Sequence, residues 1–160
     1  MTEVDLSLLQ IRKLQLGELP PLPLLLLADP SLEVIQQYLP VSDVYMAEIS
    51  NEVVGVYVLM SVRSTPAAIE IKNIAVKEGF QGKGIGKRLL EDACNRAKEQ
   101  GFSKIVIGTA DTSVMQLYLY QKVGFVFKER LENFFIDNYK EPVLENGRQA
   151  KDLIMIEKYL

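Results

Sequence analysis

The alternation of apolar and polar positions divides the chain into short strand-like runs and two longer helical ones. Val44–Ile49 and Val53–Val62, separated by the polar Asn51-Glu52, predict a β-hairpin. Ser64-Thr65-Pro66 turns the chain, and Ala67–Val76 predicts the next strand. The period then changes. Ile85, Leu89, Leu90, Ala93, Cys94 and Ala97 recur at helical spacing, and Gly101 supplies the stop. Lys104–Thr109 reads as a short strand, Ser113–Val123 as a second amphipathic helix closed by Gly124, and Phe125–Leu131 as a further strand. Residues 132–148 show no period. In the final run, Lys151–Lys158, the sequence Leu153-Ile154-Met155-Ile156 is apolar on both faces, which predicts an interior strand. At the other end, Leu8–Leu16 alternates loosely as a first strand. Leu19–Ala28 is apolar but broken by Pro20, Pro21 and Pro23, so it reads as a loop and a short buried helix. Ser31–Leu39 predicts another short helix, started at Pro30-Ser31 and stopped by Pro40. Two readings stand for this helical insertion: a lid over a substrate site, or packing alone. The order of elements predicts one α+β domain over residues 1–160, a mixed sheet with helices on both faces.

Composition narrows the function classes. The chain has 160 residues, 48% hydrophobic and 24% charged, the balance of a soluble globular protein. Its net charge of −3 gives no basic footprint for nucleic acid. The apolar run near Leu24 is too short for a membrane span, which takes about 20 residues. Glu3, Asp5 and Glu18 argue against a secretory signal. One cysteine, Cys94, allows no internal disulfide and predicts a cytoplasmic protein. Cys94 falls on the apolar stripe of its helix and reads as core rather than nucleophile. The chain has no histidine. That excludes histidine triads and histidine-ligated metals, no metal is expected, and acid–base work falls to carboxylates, tyrosines, lysines or the thiol.

The stretch with the most chemical content is Gln81-Gly82-Lys83-Gly84-Ile85-Gly86-Lys87, a glycine-rich turn between a strand and a helix. Helix N-termini carry N–H groups without intrahelical partners and partial positive charge, and glycines let an anion come close. A mononucleotide P-loop does not fit, because only three residues separate Gly82 from Gly86-Lys87 and Arg88 follows where Ser or Thr is needed. The dinucleotide fingerprint fails as well, since it needs glycine at Lys87. What fits is Gln-x-x-Gly-x-Gly at Gln81, Gly84 and Gly86. A plain strand-to-helix turn is the alternative.

This motif resembles the pyrophosphate-binding turn of the GNAT (GCN5-related) N-acetyltransferases. A second motif stands in the family's order and spacing: Leu117-Tyr118-Leu119-Tyr120-Gln121-Lys122-Val123-Gly124-Phe125 resembles the closing Leu-Tyr-x-Lys-x-Gly-Phe, and Ile74-Ala75-Val76 is similar to the family's central strand. The resemblance runs from about Ala67 to Phe125, and the C-terminal third resembles bacterial members more than histone or ribosomal-protein acetylases. It implies the GNAT acyl-CoA N-acyltransferase fold, a twisted, mostly antiparallel sheet of six to seven strands. It implies acetyl-CoA as co-substrate, held by the backbone of Ile74, Ala75 and Val76 along the pantetheine arm. The turn Gln81, Gly82, Lys83, Gly84, Ile85, Gly86, Lys87 would hold the pyrophosphate, with Thr109, Asp111 and Ser113 lining the far side. Many relatives carry asparagine where this chain has Ser113.

The implied reaction moves an acetyl group to an amine of the acceptor substrate, a small molecule or a protein, through a ternary complex. A non-catalytic acyl-CoA-binding module on the same fold is the alternative, and the resemblance leaves room for a homodimer. Tyr120 matches the family's tyrosine acid, with a packed core tyrosine as the competing reading. Glu70 stands where some members place a catalytic glutamate; it also reads as a solvated carboxylate paired with Lys72. Simple alternation groups Glu70, Lys72, Ile74 and Val76 on one face of their strand, against Ile69, Ile71 and Asn73. Residues 132–148 bring Phe134, Phe135, Tyr139, Asp137, Glu141 and Glu145, either as the wall of an acceptor pocket or as a surface loop.

Overall fold

The computed structural model describes residues 3–160. Seven strands form one sheet in the order β1-β2-β3-β4-β5-β9-β6. After a 3-10 turn at Leu6–Leu8 come β1 (Gln10–Lys13), the helices α1 (Leu22–Ala28) and α2 (Leu32–Tyr38), and the antiparallel run β2 (Asp43–Ile49), β3 (Glu52–Ser61) and β4 (Ala68–Val76). Then follow α3 (Ile85–Glu99), β5 (Lys104–Ala110), α4 (Val114–Val123) and β6 (Val126–Leu131). The chain closes with α5 (Phe134–Asn138), a small ribbon of β7 (Leu144–Glu145) and β8 (Arg148–Gln149), and β9 (Leu153–Tyr159). Among the described residues, only β4 and β5 pair in parallel. β9 lies between β5 and β6, as its two apolar faces predict.

Each face of the sheet is covered. On one, α3 buries Ile85, Leu89, Leu90, Ala93, Cys94 and Ala97, the full set its period marks. They meet Tyr45, Tyr57, Ile71, Ile105 and Ile156 from the sheet. Tyr57 Oη donates to Asp92 Oδ2 at 2.6 Å, and Arg96 Nε reaches the same oxygen at 2.8 Å, fixing α3 across β3. On the opposite face, Leu24, Leu25, Ile35 and Tyr38 of α1 and α2 pack on Val44, Val56, Val58 and Ala75. Ser31 Oγ accepts from the Val34 N–H at 3.2 Å and starts α2 as a helix cap. No helix among the described residues is long and apolar enough to cross a membrane.

The grouping expected for β4 is overturned by a bulge. Val58 pairs with Asn73 and the next residue, Leu59, with Ile71, so Lys72 has no partner on β3. One extra residue reverses the alternation beyond it. Ile69 and Ile71 before the bulge, and Ile74 and Val76 after it, therefore all pack towards α3. Glu70 lies opposite Met60, which packs with the α1–α2 cluster, and Ala75 belongs to that cluster. Asn73 and Lys72 also turn that way. Asn73 Nδ2 donates to the Leu25 carbonyl at 3.0 Å, and Lys72 Nζ sits 5.4 Å from the Tyr38 ring centre.

Candidate active site

The parallel pairing of β4 and β5 covers only Ala68–Ile71 against Lys104–Ile107. Beyond it the strands separate, and the β5-facing backbone groups of residues 72–76 lose their ladder partner. A cleft of about 590 Å³ opens there, bordered by Ile74, Ala75 and Val76 on one side and by Gly108, Thr109 and Ala110 on the other. Unpaired strand backbone on both walls suits a ligand that carries amides of its own.

One end of the cleft is the glycine turn. Gly82, Gly84, Gly86 and Lys87 border it, as does Gln81. Gly82 and Gly84 have φ of 73° and 90°, the left-handed region that glycine enters without strain. The first backbone bond of α3 runs from the Arg88 N–H to the Gly84 carbonyl at 3.2 Å, and the N–H groups of residues 81–87 have no backbone acceptor among the described residues. Seven donors at the positive end of a 15-residue helix fit a diphosphate. The other turn residues have different surroundings. Gln81 Nε2 donates to the Val76 carbonyl at 3.0 Å and ties the turn to the strand. The Ile85 side chain is buried in the core. Lys83 does not border the cleft.

The middle of the cleft is bordered by Tyr120, on the inner side of α4. Gly124, at φ 110°, ends that helix, and the Phe125 N–H returns to the Tyr120 carbonyl at 3.0 Å. Tyr120 is 6% exposed, and its hydroxyl has no hydrogen-bond partner among the described residues. Burial pushes its phenol above the ordinary range, and the Glu145 carboxylate adds to the rise. Tyr118 points away and is 54% exposed, with Lys122 Nζ 4.7 Å above its ring. The apolar residues of α4 do not form one stripe. Val114, Met115 and Tyr118 are exposed, and Met115 borders the cleft. Thr109 and Ser113 are buried beside the cleft. Ser113 sits at the helix start but does not cap it; its hydroxyl donates to Glu145 Oε2, which Thr112 Oγ1 also reaches at 3.3 Å. Asp111 turns elsewhere, accepting from the Lys151 N–H at 3.1 Å, and does not border the cleft.

The other end holds a polar network that sequence reasoning did not find. Glu70 lines it with Lys72, whose ammonium is 3.6 Å from Glu70 Oε2. Asn73 Nδ2 donates to Tyr38 Oη at 3.0 Å, Tyr38 Oη reaches Asp29 Oδ2 at 3.3 Å, and Tyr139 Oη donates to Asp29 Oδ1 at 2.9 Å. Desolvation raises the Asp29 carboxyl above its ordinary value, although Tyr139, the Ser31 N–H and Tyr38 pull the other way. Burial likewise pushes the Tyr38 and Tyr139 phenols up. Asn73 Oδ1 is buried with no partner among the described residues. One signal for this network was available: Asn73 falls, by simple alternation, on the same face of its strand as the apolar Ile69 and Ile71. Asp29 and Tyr38 carried none, because both look like ordinary ends of short helices.

Residues 11–125 match the family model described as "Acetyltransferase (GNAT) family". The chain is 46% identical over 133 residues to the uncharacterized N-acetyltransferase YvbK of Bacillus subtilis (strain 168), covering 83% of this chain and 84% of that protein. A GNAT family acetyltransferase from Elizabethkingia anophelis, solved with acetyl-CoA bound, superposes with a TM-score of 0.92 at 46% identity, over 96% of this chain and 99% of the other. An IAA acetyltransferase from Bacillus cereus ATCC 14579 superposes with a TM-score of 0.89 at 43% identity, over 95% and 99%. The matched region contains the bulged strand, the glycine turn and the tyrosine helix that together form the cleft, and the chain belongs to the GNAT family of acetyltransferases.

Proposed function

We propose that the protein transfers the acetyl group of acetyl-CoA directly to a primary amine while both substrates share the cleft. The observation that carries this reading is the single cleft between the parted strands, with the glycine turn at one end, Tyr120 in the middle and Glu70 at the other. Residues 74–76 would pair with the pantetheine amides, and the N–H groups of the turn would hold the diphosphate. Thr109 and Ser113 would close the far side. Acetyl-CoA supplies an activated acyl group on a thiolate leaving group.

The residues of the chain then have three tasks. An alkylamine with a pKa of about 10 is mostly protonated at neutral pH and must lose a proton before it attacks. Glu70 takes that proton, directly or through one water. A backbone N–H near Val76 steadies the carbonyl oxygen as the nitrogen–carbon bond forms. As the carbon–sulfur bond breaks, Tyr120 gives its phenolic proton to the sulfur, and the second proton that the attacking nitrogen loses as the amide forms returns through water to the phenolate. Its raised pKa keeps that proton available throughout the working range. The acetyl group has no protein carrier in this scheme: the chain has no histidine, and Cys94 is buried in the α3 core.

Calorimetric titration with acetyl-CoA, followed by thiol release over a panel of amines, tests the proposal. Binding at 1:1 with turnover on an amine is the expected result. Binding without thiol release on any amine would make the chain an acyl-CoA sensor, and no binding would overturn the reading of the cleft.

A further inference from the structure

The end of the cleft beyond Glu70 has a chemistry of its own. Asn73 is 4% exposed, and both hydrogens of its amide are committed, to the Leu25 carbonyl and to Tyr38 Oη. The Leu25 carbonyl can only accept, so the amide orientation is fixed and the oxygen is the atom left without a partner. Asn73 lines the cleft, and an acceptor left unpartnered in its wall suits a donor brought by a ligand. Beside it lies Asp29, held between two phenols. Two carboxylates, Asp29 and Glu70, border this end of the cleft against one ammonium, Lys72, which already lies against Glu70. The rings of Tyr38, Phe135 and Tyr139 complete the wall, and aromatic faces favour cations.

The rim is tied on this side. Tyr139, which follows α5, reaches Asp29 between α1 and α2 across 110 positions of sequence. Lys140 Nζ meets Glu33 Oε2 of α2 at 3.1 Å, a second tie between the same segments. A polypeptide laid across this rim would have to displace both. A compact molecule would not.

Building on the acetyl-transfer reading, we propose that the acceptor is a small amine with a second, cationic hydrogen-bond donor, such as a short diamine, and not the lysine or N-terminus of a protein. The second nitrogen binds Asp29 and the Asn73 oxygen, which leaves the first beside Glu70. The experiment compares thiol release from acetyl-CoA with α,ω-diaminoalkanes of two to five carbons, n-alkylamines of equal length, and a hexapeptide with one lysine and a free N-terminus. The best diamine is expected to exceed its monoamine in kcat/KM by at least about tenfold, the worth of one charged hydrogen bond, with the peptide below both. Asp29→Asn should lower the diamine-to-monoamine ratio toward one through KM, and Tyr139→Phe should lower it less. Thermal melts check that each variant folds. The acetyl-CoA Kd, measured on the same preparations, separates the two levels of the argument. Turnover with a ratio within threefold, equal or better turnover of the peptide, or an unchanged ratio in Asp29→Asn overturns this inference and leaves acetyl transfer standing. Failure to bind acetyl-CoA, or binding with no thiol release to any of these amines, overturns both.

Discussion

Replacing Tyr120 by phenylalanine removes one oxygen and nothing else, and the structure says what that oxygen does for the fold. The side chain is 6% exposed and packs against Phe125, with ring centres 6.2 Å apart, a contact phenylalanine keeps. The hydroxyl has no hydrogen-bond partner among the described residues, so no such bond is lost. The change in unfolding free energy should stay within about 1 kcal/mol. Activity is another matter. A positioned general acid contributes about 10²- to 10⁴-fold, roughly 3–5 kcal/mol of barrier at 1.36 kcal/mol per tenfold. Tyr120→Phe should therefore melt with the wild type and lose at least about a hundredfold in the chemical step. Single-turnover thiol release with the protein saturated by both substrates reads that step without product release. Tyr118→Phe, on the outer side of α4, is the control and should keep the wild-type rate. If Tyr120→Phe stays within about threefold of wild type in single turnover, well short of the range for general acids, the phenol is not the acid. If it loses several kcal/mol of stability, the hydroxyl holds a hydrogen bond in the fold and its role is structural.

Four further outcomes follow from the geometry. Gly84→Ala forces a side chain to φ 90° and against Leu6 Cδ1 at 3.3 Å; it should cost about 1–2 kcal/mol of stability and weaken acetyl-CoA. Gly86→Ala meets only ordinary contacts, at 3.6 and 3.9 Å, so urea melts should show an intact fold. Calorimetry should still show weaker acetyl-CoA binding, and unchanged affinity would refute close backbone approach at that turn. Because the Asp29 carboxyl is raised above 3.8 in the fold, the native state holds its proton more tightly than the unfolded chain, and its contribution to stability falls as pH rises through that window. Asp29→Asn removes the effect, so its stability relative to wild type should climb between pH 4 and pH 8 in urea melts, and a difference that instead grows towards acid would refute this. Glu70→Gln should lower kcat/KM for the amine by at least about a hundredfold, and a variant that stays within about threefold of wild type excludes Glu70 as the base.

Much of this fold was readable from local pattern. The buried set of α3 follows from its period, the hairpin of β2 and β3 from two runs and a polar turn, and the interior place of β9 from four consecutive apolar residues. Residues 132–148 were not readable, for a physical reason. α5 has five residues and β7 and β8 two each, too few for a period to register. Distant partners hold them instead: the Phe135 N–H on the Lys151 carbonyl, and Tyr139 on Asp29. Short segments stabilised by long-range contacts carry little local signal. The same holds for Asp29 and Tyr38, whose role exists only once α1 and α2 lie on β4.

The β4 face assignment failed for a more instructive reason. Period two presumes an unbroken ladder, and β4 breaks it twice, at the Lys72 bulge on the β3 side and at the parting from β5 after Ile71. Both breaks serve the site. An unbroken pairing with β5 would consume the backbone groups of residues 72–76 and leave no slot between the strands. Without the extra residue, Asn73 would face α3 with Ile69 and Ile71, and its amide could not reach Leu25 and Tyr38. The bulge moves Asn73 to the face where Glu70 and Lys72 already stand, and turns Ile74 and Val76 to the apolar contacts with α3. Motifs written in glycine and tyrosine could be read because their chemistry is local. The acceptor end could not, because it is built from departures from regularity, and those appear only when the strands are paired.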